Sequence, residues 1–207
     1  MKEIQSMIST IKRRGVTNKK VLDSMSLVNR SLFVPEPSKN LAYSDLALPI
    51  GQAQTISQPY IVAKMLELLD PQPSDKILEI GSGSGYVCAI LSKISSKVIG
   101  LEINEELAKI SRETLKKLKI PNARILNQDG SQGFIQGYPY DKILISAATP
   151  EITNEITDQL NPGGILVAPV GDRMNQTLIK IIKTPKGIIK EEHDHVMFVP
   201  LTGKKGF

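Results

Sequence analysis

Apolar positions recur at helical spacing in the first third of the chain, and from about residue 74 they fall in short continuous runs. Ile4, Met7, Ile8 and Ile11 share one face of residues 2–13, with Lys and Arg between them and Gly15 as a stop. Thr17 is placed to cap a second helix carrying Val21, Leu22, Met25 and Val28. That helix ends near Leu32-Phe33-Val34-Pro35, where prolines forbid continuation. Residues 38–59 show no period and read as irregular. Helical spacing returns in Pro59–Leu69, with Ile61, Met65, Leu68 and Leu69 on one side.

Beyond Ser74 the pattern alternates. Strands are predicted at Lys76–Ile80, Lys97–Leu101, Arg124–Asn127, Lys142–Ser146 and Ile165–Val170. Helices are predicted at about Gly85–Ser92, Glu105–Lys117 and Ile152–Leu160, the last stopped by Asn161-Pro162-Gly163-Gly164. Repeated strand–helix units imply an α/β fold, a doubly wound and mostly parallel sheet with right-handed crossovers. Thr177–Lys183 and His195–Leu201, joined through Pro185-Lys186-Gly187, are expected as antiparallel strands at one edge. One domain is expected over 1–207, with an α-rich lead-in (1–73), a core (74–171) and edge strands (172–207).

Ligands of such sheets sit outside the carboxyl ends of the strands. The densest chemistry lies there. In KILEIGSGSGY (76–86), Glu79 is followed by glycines at Gly81, Gly83 and Gly85, around Ser82. The glycines let backbone approach a ligand closely, and N–H groups at the following helix start favour acceptor groups. The dinucleotide fingerprint would put a third glycine at position 86, where Tyr86 stands, and no Gly-Lys-Ser/Thr of a Walker loop follows. Glu102, 21 residues after Gly81, can accept hydrogen bonds from both hydroxyls of a ribose. Asp129-Gly130 could meet an adenine edge, although Asp-Gly is equally good turn chemistry. Glu79 could orient the glycine loop or reach an ammonium group. Ser57, just before Pro59, suits either a helix cap or a contact with substrate.

Composition narrows the remainder. The 207 residues are 41% hydrophobic and 23% charged, with formal net charge +5. Basic and acidic residues are interleaved and aromatics are only 4%, so nucleic-acid binding is not expected. The single Cys88 permits no intramolecular disulfide and fits a reducing, cytoplasmic setting. No long apolar run suggests a membrane span or a signal peptide. His193 and His195 share one strand face without further ligands around them, so no metal site is expected.

The form E-x-G-x-G-x-G resembles the motif of S-adenosylmethionine-dependent methyltransferases. AYSDLALPIGQAQTISQPYIVAKMLELL (42–69), with LVNRSLFVP (27–35), QDGSQGF (128–134), YDKILISAA (140–148), LNPGGILVAPVG (160–171) and FVPL (198–201), is similar to the protein-L-isoaspartate O-methyltransferases over nearly the whole chain. That resemblance implies a Rossmann-like methyltransferase fold, S-adenosylmethionine as cofactor, isoaspartyl proteins and peptides as partners, and a monomer. The implied reaction methylates the free α-carboxylate of L-isoaspartyl residues, and the ester then closes to a succinimide. It implies Ser57 as catalytic and Gln54, Thr55 and Ile56 around the substrate. Cofactor contacts are implied at Glu79, Gly81, Ser82, Gly83, Gly85, Glu102, Asp129 and Gly130. Gln128, Phe134 and Ile103 depart from the common pattern, which has Gly-Asp-Gly, a later Trp, and Arg after the ribose-binding glutamate. A methyltransferase of a small molecule or nucleic acid, or a non-catalytic paralogue, is the alternative, and neither needs the TISQPY segment.

Overall fold

The computed structural model describes residues 2–207. Seven strands form one sheet: β3 (Lys76–Ile80), β4 (Lys97–Glu102), β5 (Ala123–Asn127), β6 (Tyr140–Ile145), β7 (Leu160–Gly171), β8 (Gln176–Thr184) and β9 (Gly187–Val196). Their order is β5-β4-β3-β6-β7-β8-β9, parallel through β7 and antiparallel beyond. The chain reverses direction across the sheet between β3 and β6, which opens a crevice at the carboxyl ends of the central strands.

Side-chain alternation divides the core. Ile77, Val98, Ile125, Leu144 and Val167 point to the face covered by five helices: α1 (Lys2–Arg13), α2 (Lys19–Leu27), α3 (Pro59–Leu69), α4 (Tyr86–Leu91) and α5 (Glu105–Lys117). Leu78, Ile80, Ile99, Leu101, Ile143 and Ile145 point the other way. They meet Phe134, Leu201 and Ile156 of the short α6 (Asn154–Thr157). Among the described residues no helix is long and apolar enough to cross a membrane.

Several local readings change. The helix expected over Ile152–Leu160 is only Asn154–Thr157, because Leu160 already pairs with Tyr140 in β7, and the second helix stops at Leu27. Asn18, not Thr17, caps α2, its Oδ1 accepting from the Val21 N–H, while Glu67 of α3 accepts from the Thr17 and Asn18 N–H groups. Residues 38–59, read as irregular, contain a β-hairpin of β1 (Leu48–Gly51) and β2 (Gln54–Ile56). Its turn residues Gln52 and Ala53 both stand at φ 55, a left-handed conformation that neither residue type advertises. The stretch Asn161–Gly164 lies within β7, because Tyr140 pairs with Leu160 before the register shifts and Asn161 bonds to Asp141. The last strand runs from Gly187 to Val196 rather than from His195 to Leu201. Its charged residues are tolerated because it is an edge, and residues beyond it leave the sheet to bridge Pro200 to Ala148.

Candidate active site

The glycine loop closes the end of β3. Gly81, Gly83 and Gly85 have φ of 76°, 51° and 82°, conformations a Cβ would strain. The Gly81 and Ser82 N–H groups both donate to the Leu101 carbonyl, at 2.9 and 3.0 Å, which ties the loop to β4. Gly83 N–H donates to Glu102 Oε2 at 2.8 Å and Asn104 N–H to Glu102 Oε1 at 2.9 Å. Each carboxylate oxygen therefore has one fixed donor and retains accepting capacity toward the crevice.

That crevice is a cavity of about 340 Å³ whose walls include Gly81, Gly83, Glu102, Gln128, Gly130 and Ser146. Among the described residues Glu102 is the only charged side chain lining it. A phosphate-bearing nucleotide would meet no lysine or arginine here. A ligand with hydroxyls and net positive charge meets a fixed carboxylate, with Gln and Ser groups to complete its hydrogen bonds. S-adenosylmethionine, a ribonucleoside carrying a sulfonium and an ammonium, fits that donor set.

Glu79 lies one layer below. Strand alternation turns it toward α4, where it is 1% exposed, and its two oxygens accept from Cys88 Sγ and Ser146 Oγ, both at 2.8 Å. Burial pushes its carboxyl up to about 7, against the two hydrogen bonds, with Glu102 adding like-charge repulsion. Ser146 connects it to the cavity wall.

The remaining loop residues do not line the cavity. Ser82 packs its side chain against the space above Gly100, and Gly85 sits against Ser111 of α5. Asp129 is turned away too. Oδ1 accepts from Ser131 N–H at 2.8 Å and Oδ2 from Lys204 N–H at 2.9 Å. Against its burial, those N–H groups of Lys204 and Ser131 hold its carboxyl below the usual range. From that turn Gln128 and Gly130 face the cavity instead, and Asp129 anchors the C-terminal segment whose Val199–Thr202 forms the opposite wall. Sequence reading missed this wall and Ser146. The FVPL and ILISAA stretches carried the resemblance but no chemistry that singled these residues out.

The hairpin lies over the loop, with Ile50 Cδ1 close above Gly83 and Gln52 bonded to Glu106 of α5. Gln54 lines the small cavity, whereas Ile56 turns into the core. Thr55 lines both this cavity and a second one of about 610 Å³, as does Val199. Ser57 lines the larger cavity alone. It does not cap α3: Gln58 is the N-cap position, and Asp45 Oδ1 takes the Tyr60 N–H at 2.9 Å. The Ser57 hydroxyl has no hydrogen-bond partner among the described residues, which leaves it free to serve the cavity. Arg30, fully buried, donates to the carbonyls of Ala42, Leu46 and Ser57 and so holds both ends of the segment that carries Ser57. Sequence reading passed over Arg30 because a lone arginine normally belongs on a surface. His195 reaches the larger cavity; His193 does not.

A family model described as protein-L-isoaspartate(D-aspartate) O-methyltransferase matches residues 2–206. A protein-L-isoaspartate O-methyltransferase of Methanospirillum hungatei JF-1 is 48% identical over 197 residues, covering 95% of this chain and 91% of its own. One from Aeropyrum pernix is 42% identical, covering 97% and 80%. The solved structure of a Plasmodium falciparum protein, described as a putative protein-L-isoaspartate O-methyltransferase in complex with S-adenosyl-L-homocysteine, superposes with a TM-score of 0.82. It is 29% identical and covers 95% of this chain and 97% of its own. A further protein-L-isoaspartate O-methyltransferase structure, 22% identical, shares the fold with a TM-score of 0.90 over 98% of this chain and 67% of its own.

Proposed function

The chain belongs to the protein-L-isoaspartate(D-aspartate) O-methyltransferase family, and from that premise we propose how its two adjoining cavities share one reaction. The enzyme transfers the methyl of S-adenosylmethionine to the free α-carboxylate of L-isoaspartyl residues in proteins and peptides. One observation carries the division of labour: the cavity lined by the glycine loop and Glu102 and the cavity lined by Ser57 share Thr55 and Val199 in their walls. Cofactor belongs in the first, the isoaspartyl side of the substrate in the second, and the reacting atoms at their junction.

When bound, S-adenosylmethionine supplies an electrophilic methyl on a positively charged sulfur. Glu102 holds ribose hydroxyls through the accepting capacity left on its two oxygens. Gly81 and Gly83 allow close backbone approach, Gly130 and Gln128 border the base, and Glu79 acts through Ser146 rather than by contact. Ser82, Gly85 and Asp129 shape the loop and the tail that frame the site.

The substrate carboxylate is ionised at neutral pH, with a reference pKa of about 3.5. No general base is required. What the reaction demands is orientation and exclusion of water. Ser57 donates its hydroxyl to one carboxylate oxygen and leaves the other to attack. A neutral donor serves better than a cation, which would bind the anion so firmly that its nucleophilicity fell. Thr55 stands between the two ligands, with Gln54 on the cofactor side. Ile56 anchors the strand in the core.

The same reading treats 1–207 as one domain working as a monomer, since one chain supplies both cavities. It works in a reducing, cytoplasmic setting that suits the lone buried Cys88. Ser57→Ala tests the assignment. Turnover on an isoaspartyl peptide is expected to fall by about tenfold or more, the scale on which lost hydrogen-bond orientation reduces rate, while S-adenosylhomocysteine affinity stays put. Unchanged kcat would remove Ser57 from the role.

A further inference from the structure

The larger cavity has one wall unlike the rest. Met174 is 70% exposed and Met197 is 74% exposed, and both line it. Solvated methionine side chains of this kind bend to fit varied apolar partners, because the unbranched thioether has three rotatable bonds and no fixed shape.

Their backbones, in contrast, are fixed. Met174 stands in the β7–β8 turn, where Asp172 Oδ1 accepts the N–H groups of Met174 and Asn175, both at 2.7 Å. Met197 follows the end of β9. Between them Gln176, 1% exposed, donates Nε2 to the Asp172 carbonyl at 2.9 Å and accepts the Phe198 N–H on Oε1 at 2.7 Å. Gln176 also pairs with Val196 across β8 and β9. One buried amide thus clasps the two segments that present the methionines. Arg14 and Asp45, which line the same cavity, are paired to each other at 2.6 Å.

We propose that Met174 and Met197, clasped by Gln176, form a deformable apolar wall that receives the side chain adjacent to the isoaspartyl residue, favouring large apolar neighbours while accepting many shapes. This rests on the substrate reading above and extends it. Ser57 and both methionines line this one cavity, which shares Thr55 and Val199 with the cavity of the glycine loop, so a peptide seated here with its carboxylate beside Ser57 has this wall among its neighbours. Such a wall suits a repair enzyme, which meets damage in many sequence contexts. One of rigid shape would reject most of them.

The test uses isoaspartyl peptides with Leu or Ser immediately before, or immediately after, the damaged residue. The wild-type enzyme is expected to favour Leu at one of these positions by about tenfold in kcat/KM, the discrimination a hydrophobic pocket gives for a methylene or two, expressed in KM. Met174→Ser with Met197→Ser is expected to reduce that ratio to near one, with S-adenosylhomocysteine affinity and melting temperature unmoved. Met174→Leu with Met197→Leu is expected to keep it. A wild-type enzyme without the preference, or a serine variant that keeps it, overturns the inference. So does a concentration-dependent dimer abolished by the serine pair, which would make the wall a self-association surface. If the wild type methylates no isoaspartyl peptide, the substrate reading fails and this inference falls with it.

Discussion

Arg30 offers the sharpest test of how the Ser57 segment is held. Its guanidinium is fully buried and donates to three backbone carbonyls, those of Ala42, Leu46 and Ser57. Hydrogen bonds from a charged donor contribute roughly 1.5–3 kcal/mol each. Against them stands the desolvation that lowers the Arg30 pKa and leaves Nε without a partner. In Arg30→Ala, the carbonyl of Leu46, an exposed residue, regains water, whereas the buried Ala42 carbonyl does not. The net loss is expected to be about 3 kcal/mol, or about 6–12 °C in melting temperature for a domain of this size. Arg30→Lys keeps the charge but cannot span three acceptors in a fork. Its stability loss should be smaller, yet kcat should still fall, because one ammonium cannot replace both Nη1, which holds the Ala42 carbonyl, and Nη2, which holds the Ser57 carbonyl. Denaturant unfolding paired with steady-state kinetics on folded protein separates the effects. A lysine variant with wild-type kcat would confine Arg30 to stability, and an alanine variant with wild-type stability would refute the role altogether.

Three further outcomes follow from Glu79 and Asp129. Glu79 has a folded pKa raised from 4.5 to about 7, so the folded chain holds a proton that the unfolded chain releases. Its contribution to stability without ligand is therefore lost as pH rises from about 4.5 to about 7, and Glu79→Gln should stabilise that form at pH 8 by about 3 kcal/mol at most, read from unfolding curves at pH 5 and 8. A positively charged ligand favours the ionised carboxylate, so S-adenosylmethionine should bind more tightly at pH 8 than at pH 6, with proton release seen by calorimetry in buffers of different ionisation enthalpy; a flat profile would count against Glu79. Asp129→Ala removes the acceptor of the Lys204 N–H and loosens the tail that bears Leu201 and Thr202, so cofactor affinity should drop by about tenfold, the effect of losing one charge-assisted hydrogen bond, while kcat at saturation holds; an unchanged Kd would separate the tail from the cofactor site.

The core was legible because its strands are short runs rich in apolar residues, and those at 76–80 and 97–102 end at a glycine and an acid. Glu102 could be placed at a strand end from its distance to the glycine loop, and it lines the cavity beside that loop. The hairpin was hidden for physical reasons. Its strands are three and four residues long, and its turn forces Gln52 and Ala53 into a conformation usually marked by Asn or Gly. Asp129 misled because a turn acid and a ligand-binding acid look alike in sequence. Only the tail, arriving 75 residues later, shows which one it is. Arg30 and Gln176 were invisible for the same reason. Buried polar groups are defined by partners distant in sequence, and no local pattern encodes them.

The central claim is methyl transfer to one linkage and not its normal isomer. Two peptides of identical sequence, one with an isoaspartyl and one with a normal aspartyl bond, incubated with the enzyme and methyl-labelled S-adenosylmethionine, test it directly. The isoaspartyl peptide alone should acquire label; equal labelling of both, or labelling of neither while S-adenosylhomocysteine still binds, would contradict it.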